Sequence, residues 1–213
     1  MVQIIPAILS TSEDDYARDV SRYQKSSFFQ EGWVHIDFMD NIFVPNKSIE
    51  PPVIAKHPIN LHKEAHPMVL HPLQWVDSLV KVGFERIIFH IEAADTSECI
   101  EYIKSQGLEV GLAINNKTPM EKLTPFIAKI DVVLVMSIIP GFQGQPFIHE
   151  SLDKIRKLKS KEWKVRIGID GAVKDDNIRE IVDAGVDFIT VGSYLLKGDI
   201  DENLEKLWEV INE

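Results

Sequence analysis

Short apolar, β-branched runs alternate with longer amphipathic stretches from one end of the chain to the other, the pattern of repeated βα units around a parallel sheet. Eight such pairs can be counted. The strand candidates are Ile4 to Leu9, Trp33 to Phe38, Ile59 to His66, Arg86 to Ile91, Glu109 to Asn115, Asp131 to Ser137, Val165 to Asp170 and Phe188 to Gly192. Glycines in Val82-Gly83-Phe84, Gln106-Gly107-Leu108 and Ala184-Gly185-Val186 mark where a helix ends and the chain turns back to the sheet. Between strands, apolar residues recur three and four apart, as in Leu152, Ile155 and Leu158 and again in Leu204, Leu207 and Val210. Thr11-Ser12-Glu13-Asp14 and Thr96-Ser97-Glu98 have the composition of capped helix starts. No linker interrupts the series, and the segment between the second and third strands is the least regular. Eight units in 213 residues predict an α/β fold, a single (β/α)8 TIM barrel over residues 1–213, close to the lower limit of about 200 residues for that architecture. A doubly wound open sheet usually carries a glycine-rich turn after its first strand, and Ala7-Ile8-Leu9-Ser10-Thr11-Ser12 has no glycine.

Charge narrows the partners. With 33 Asp and Glu against 23 Lys and Arg the net charge is −10, and the cationic residues are scattered, so nucleic acid is not an expected partner. A small anion stays compatible, because backbone amides at helix N-termini hold phosphate whatever the overall charge. No apolar run approaches the ~18 residues needed to cross a bilayer, so no membrane association is expected. The single cysteine, Cys99, has no internal disulfide partner, and the chain opens on the strand-like run Val2-Gln3-Ile4-Ile5. Both features read as a soluble protein of the reducing cytoplasm.

Ionisable residues gather at the C-terminal ends of the strand candidates, where barrel enzymes assemble their sites. His35 and Asp37 lie two apart at the end of the second strand, so period-two alternation points them the same way. His66 ends the third strand and Asp170 the seventh. Four nitrogen and oxygen donors can therefore converge on one divalent ion, and a two-histidine, two-carboxylate set suits Zn²⁺, Fe²⁺, Mn²⁺ or Co²⁺ better than Ca²⁺ or Mg²⁺. Taken singly, a strand histidine is often a hydrogen-bonded core residue and a strand-end aspartate often a helix cap. The coincidence of four such residues at the ends of three strands favours a site.

These residues, with their neighbours, resemble the ribulose-phosphate 3-epimerase family and its relatives acting on other ketose phosphates. The resemblance rests on Pro6-Ala7-Ile8-Leu9-Ser10, on Val34-His35-Ile36-Asp37-Phe38-Met39-Asp40 followed by Phe43-Val44-Pro45-Asn46, and on His66-Pro67-Met68. It continues through Met136-Ser137 and Pro140-Gly141-Phe142-Gln143-Gly144-Gln145 to Asp170-Gly171 and Gly192-Ser193. It implies a barrel of the ribulose-phosphate-binding type and a carbohydrate isomerase serving the pentose phosphate pathway, assembled as a homo-oligomer. It also implies one divalent metal ion per chain on His35, Asp37, His66 and Asp170, with Asp37 and Asp170 as the proton-transfer pair. Epimerisation beside a ketone removes a proton from one face and returns one to the other through an enediolate, which is why two carboxylates and a Lewis acid are needed.

By the same resemblance Met39, Met68 and Met136 line the site, beside His66, as a soft surface without donors to divert protons. Core filling is the equal alternative for each. Ser10 corresponds to a residue that hydrogen-bonds substrate, or else it caps the first helix. Gly144, Gly171, Gly192 and Ser193 correspond to backbone positions that hold the phosphate, and Phe142 and Gln143, flanked by Gly141, form a loop able to close over the substrate. The chain departs from the family pattern at Ala172, where a second glycine is usual, at Ile139 for an asparagine, at Gln143 for a small residue and at Asn41 for a glycine. If position 172 needs positive φ, its methyl group costs on the order of 1 kcal/mol. The altered loop keeps a hexulose phosphate such as allulose 6-phosphate open as substrate, and a barrel that kept the pocket without turnover is the further alternative. Lys63 lies three residues before His66, so alternation turns it away from the site and leaves a Schiff-base aldolase without its lysine.

Overall fold

The computed structural model describes residues 2–142 and 144–213. Eight parallel strands close on themselves in sequence order: β1 (Gln3–Ile8), β2 (Trp33–Met39), β3 (His62–Met68), β4 (Arg86–His90), β5 (Glu109–Ile114), β6 (Val132–Met136), β7 (Arg166–Asp170) and β8 (Phe188–Val191), with β8 paired to β1. The third strand begins at His62, three residues after its expected start, and runs two residues beyond His66; the other boundaries agree to within one residue.

The helices on the outside are α1 (Glu13–Lys25), α2 (Pro51–Lys56), α3 (Val76–Lys81), α4 (Thr96–Ser105), α5 (Glu150–Lys159), α6 (Ile178–Asp183) and α7 (Ile200–Asn212). Ser12 caps α1 through its hydroxyl, which accepts from the Asp15 N–H, as the motif predicts. The start of α4 differs. Asp95 precedes it in a left-handed conformation, φ +58°, with no side-chain cap, and the Thr96 hydroxyl turns back to the Ala93 carbonyl.

The fifth crossover also departs from a strict helical repeat. Among the described residues it holds two 3₁₀ turns, Met120–Leu123 and Ile127–Lys129, and no α-helix. Pro119 and Pro125 explain this, since each lacks an N–H and restricts the residue before it. Lys154 of α5 secures the segment by donating to the carbonyls of Asn115, Asn116 and Thr118 at 2.5, 3.0 and 2.7 Å.

Strand alternation divides the apolar residues between two cores. Val34, Ile36 and Phe38 of β2 point outward into the large core beneath the helices, with Tyr16, Ile155 and Leu207 among their companions. A smaller cluster of Ile5, Ile88, Ala113, Val132, Leu134, Met136 and Phe188 fills the barrel itself. Its fit depends on Gly168 of β7, where a Cβ would stand 2.1–2.6 Å from the Phe188 ring. Gly168→Ala is therefore expected to cost about 3 kcal/mol of stability, because a closed barrel leaves the ring no room to retreat. A urea midpoint that falls with an unchanged slope would bear this out.

Candidate active site

Register brings the candidate ligands together. His35 and Asp37 share a face of β2, His66 of β3 pairs with Asp37, and Asp170 of β7 pairs with Met136 of β6. His66 Nδ1 stands 2.8 Å from Asp37 Oδ1 and 3.8 Å from Asp170 Oδ2, while His35 Nε2 stands 3.2 Å from Asp37 Oδ1. One donor atom from each residue fits within a set whose members all lie within 4.8 Å of one another. Donors around a tetrahedral ion with bonds of about 2.1 Å stand about 3.4 Å apart, and the three separations bracket that value. The donor set thus fits a divalent cation of the zinc, iron, manganese or cobalt kind.

Behind His35 lies a chain of buried charges not foreseen from the sequence. His35 Nδ1 is 2.7 Å from Glu64 Oε1, and Glu64 is its register partner on β3. The Arg86 guanidinium donates to the other Glu64 oxygen and, through Nε, to Glu109 at 2.6 Å. It also lies 3.7 Å over the Trp33 ring. Glu64 and Arg86 are fully buried. Period two counted back from His66 reaches Glu64, so its face was readable, but its pairing with His35 depends on register.

This arrangement drives the two aspartates in opposite directions. Burial works against the charge of Asp37, but His35 beside it and hydrogen bonds from both histidines outweigh that and hold its carboxyl well below the usual range. Burial raises Asp170 to about 6, with the Asp37 charge adding to the effect. His35 is held well above the ordinary imidazole value, since Asp37 and Glu64 together outweigh its own burial.

Above the cluster a cleft opens between the loops that follow β6, β7 and β8. Asp37, Asp170, Met68 and Met136 form its floor. Gly141, Phe142 and Gly144 line it from the loop after β6, Gly171 and Ala172 from the loop after β7, and Gly192 and Ser193 from the loop after β8. His35 and His66 are buried beneath, and Met39 is packed against Val44 and Met68 behind the cleft rather than on its lining. Ser10 does not cap α1, where Ser12 holds that place; its hydroxyl is buried with no protein partner among the described residues. Thr190, which the sequence did not single out, lines the cleft with a hydroxyl in the same condition. Gln143 lies outside the described residues.

Ala172 has φ +51°, the left-handed conformation on which its cost was conditional, and Asn41 has φ +60°. Gly171 carries φ +118° and packs so closely that a Cβ would meet Ile138 at 2.6 Å. The single Ser137 O–H is shared between the Asp170 and Gly171 carbonyls, at 2.9 and 2.6 Å, tying the end of β7 to β6. Asn46 reaches across from the β2 loop to the Gly141 carbonyl at 3.0 Å.

A closed parallel barrel with an acid–histidine cluster under a cleft at the C-terminal ends of its strands has the layout of a barrel enzyme. Residues 3–196 match the model of the ribulose-phosphate 3 epimerase family. A ribulose-phosphate 3-epimerase of Chlamydia muridarum is 37% identical over 82% of this chain and 80% of its own length. One of Escherichia coli K12 is 35% identical over 99% and 98%. The chain belongs to the ribulose-phosphate 3-epimerase family and is an isomerase acting on carbohydrates. Among solved structures, 3-hexulose-6-phosphate synthase from Salmonella typhimurium shares the fold, with a TM-score of 0.73 at 14% identity over 99% of both chains.

The raised Asp170 carboxyl has a consequence for stability. A folded acid whose pKa lies above its unfolded value binds more protons than the unfolded chain between the two, so stability falls as pH rises through that window. Asp170→Asn is therefore expected to raise the Tm of metal-free protein at pH 7.5 by at least about 2 °C, and the gain should vanish at pH 4. Differential scanning calorimetry at the two pH values tests it.

Proposed function

We propose that this chain interconverts D-ribulose 5-phosphate and D-xylulose 5-phosphate by inverting C3, with Asp37 and Asp170 as the proton-transfer pair. One observation carries the reading: two carboxylates, Asp37 and Asp170, line one cleft at the barrel mouth, in surroundings that push their proton affinities apart, Asp37 downward and Asp170 upward. Asp37, ionised, takes the C3 proton from one face of the substrate, and Asp170, protonated, returns one to the other. In the reverse direction the roles exchange. Along the barrel wall β8 and β1 separate β7 from β2, which suits attack from two sides. A divalent cation on His35, Asp37, His66 and Asp170 supplies Lewis-acid stabilisation of the charge developing on the substrate oxygens, worth several kcal/mol.

Met68 and Met136 give the reacting carbons an apolar floor that neither donates nor takes protons. The buried hydroxyl of Ser10 and that of Thr190 are free to hydrogen-bond the sugar. Backbone groups of Gly144, Gly171, Ala172, Gly192 and Ser193 hold the phosphate, with Gly141 and Phe142 at the rim. His66, buried beneath the cleft, would help hold the cation that the substrate oxygens approach, and Met39 supports Met68 from behind. The whole chain acts as one catalytic unit, a homo-oligomer of the reducing cytoplasm. Its one cysteine, Cys99, is buried and unpaired, and no helix among the described residues is long and apolar enough to cross a membrane.

The left-handed Ala172 and the exposed Ile139 beside the cleft favour a second reading, the same chemistry on a hexulose phosphate such as allulose 6-phosphate.

Turnover of ribulose 5-phosphate in D₂O should place deuterium at C3, and Asp37→Asn and Asp170→Asn should each lower kcat by about 10²–10⁴-fold. Chelation should abolish turnover, and Zn²⁺, Mn²⁺, Fe²⁺ or Co²⁺ should restore it. Exchange only with the hexulose phosphate would transfer the chemistry to the second reading, and no exchange with either would sink both. Ala172→Gly should lower KM for the sugar phosphate while changing stability by less than about 1 kcal/mol, because relief of the left-handed alanine is offset by the entropy of glycine.

A further inference from the structure

A third histidine stands behind the two that face the cluster. His90, at the end of β4, is fully buried, and its Nε2 lies 3.1 Å from Nε2 of His66. The two rings are 24° from parallel with centroids 5.1 Å apart, and Phe43 covers the outer face of His90 at 4.9 Å. His90 Nδ1 faces Glu92 Oε2 at 3.2 Å. Glu92 is held in turn, its other oxygen accepting from the Asn115 N–H at 3.0 Å.

With a cation on His66 Nδ1, hydrogen-bond accounting places the ring protons along this line. A carboxylate only accepts, so His90 Nδ1 carries the hydrogen that meets Glu92. A neutral imidazole whose hydrogen sits on Nδ1 presents a lone pair at Nε2. Two ring nitrogens at 3.1 Å share one hydrogen, and it must belong to His66 Nε2. A His66 with its hydrogen on Nε2 has its Nδ1 lone pair free for a cation beside Asp37 and Asp170. Asp37, 2.8 Å from that Nδ1, attracts the hydrogen the other way, so His90 opposes a real competitor.

We propose that His90, oriented by Glu92, is a positioning residue that holds His66 in the tautomer whose Nδ1 lone pair faces a divalent cation in the cluster. The inference rests on the cation-binding reading above. On the side away from the cluster His35 has its own carboxylate, Glu64, in direct contact, whereas His66 reaches one there only through a second imidazole. Such outer partners change metal affinity without touching the metal, typically by 10–100-fold.

Zn²⁺ affinity, measured at pH 7.5 by competition with a chromophoric chelator, tests it. His90→Leu removes the acceptor and should weaken Zn²⁺ binding about 10–100-fold. His90→Gln keeps an acceptor oxygen for the His66 N–H and should recover most of that loss. Ring ¹⁵N spectra of Zn²⁺-loaded wild type should show His66 with hydrogen on Nε2 and metal on Nδ1. That readout needs no variant, and a role limited to packing would not fix it. Hydrogen found on Nδ1, or a folded His90→Leu that binds Zn²⁺ as tightly as wild type, would overturn the inference alone. A wild type that takes up no Zn²⁺ would overturn it together with the reading beneath it.

Discussion

Two carboxylates packed a few ångströms apart in a protein interior cannot both stay ionised unless positive charge stands beside them. Much of the barrel mouth follows from that constraint at Asp37 and Asp170. In the metal-free protein His35 supplies compensation at Asp37, and because a buried imidazolium needs compensation of its own, Glu64 sits behind it and Arg86 behind Glu64. Charge alternates in sign from residue to residue along this line, so each group lowers the cost of burying the next. Asp170 has no such backing and takes up a proton more readily instead. The difference between the two carboxylates is thus set by what lies behind each of them, one or two shells from the cleft.

The strands were legible because each is a short apolar run ended by turn residues, and the four cluster residues because strand alternation fixes which side chains share a face. What escaped was whatever depends on pairing between strands or on rings meeting across them. Glu64 is one residue of Lys63-Glu64-Ala65 until register places it opposite His35, and His90 gains meaning only from its contact with His66. The fifth crossover was one of the eight strand–helix pairs counted; Pro119 and Pro125 decided otherwise. Thr96 resembled a cap, but left-handed Asp95 starts that helix without one. Ser10 had two readings, and Ser12 removed one of them by taking the cap.

The likeness to 3-hexulose-6-phosphate synthase extends over the whole barrel, yet at 14% identity it carries architecture alone. Family membership comes from the ordered sequence match, and the chemistry must be argued from side chains at the strand ends. The barrel wall contributes rigidity: strand ends are tied by Ser137 to β7 and by Asn46 between loops, so the cleft is shaped by hydrogen bonds to main-chain carbonyls. Catalytic geometry held in this way tolerates wide variation in the helices outside.

The Glu64–Arg86 pair constrains how such a sequence can drift. Replacing either residue alone strands a charge in the interior, a loss of about 3–5 kcal/mol, whereas exchanging both for apolar residues of similar volume is often neutral. Glu64, however, has a second obligation to His35, so the neutral double exchange is closed to it. Arg86 is correspondingly tied to an ionised neighbour that cannot leave. A lineage can abandon this pair only by first finding another acceptor for the histidine, and positions 35, 64 and 86 are expected to evolve as one linked trait rather than as three independent sites.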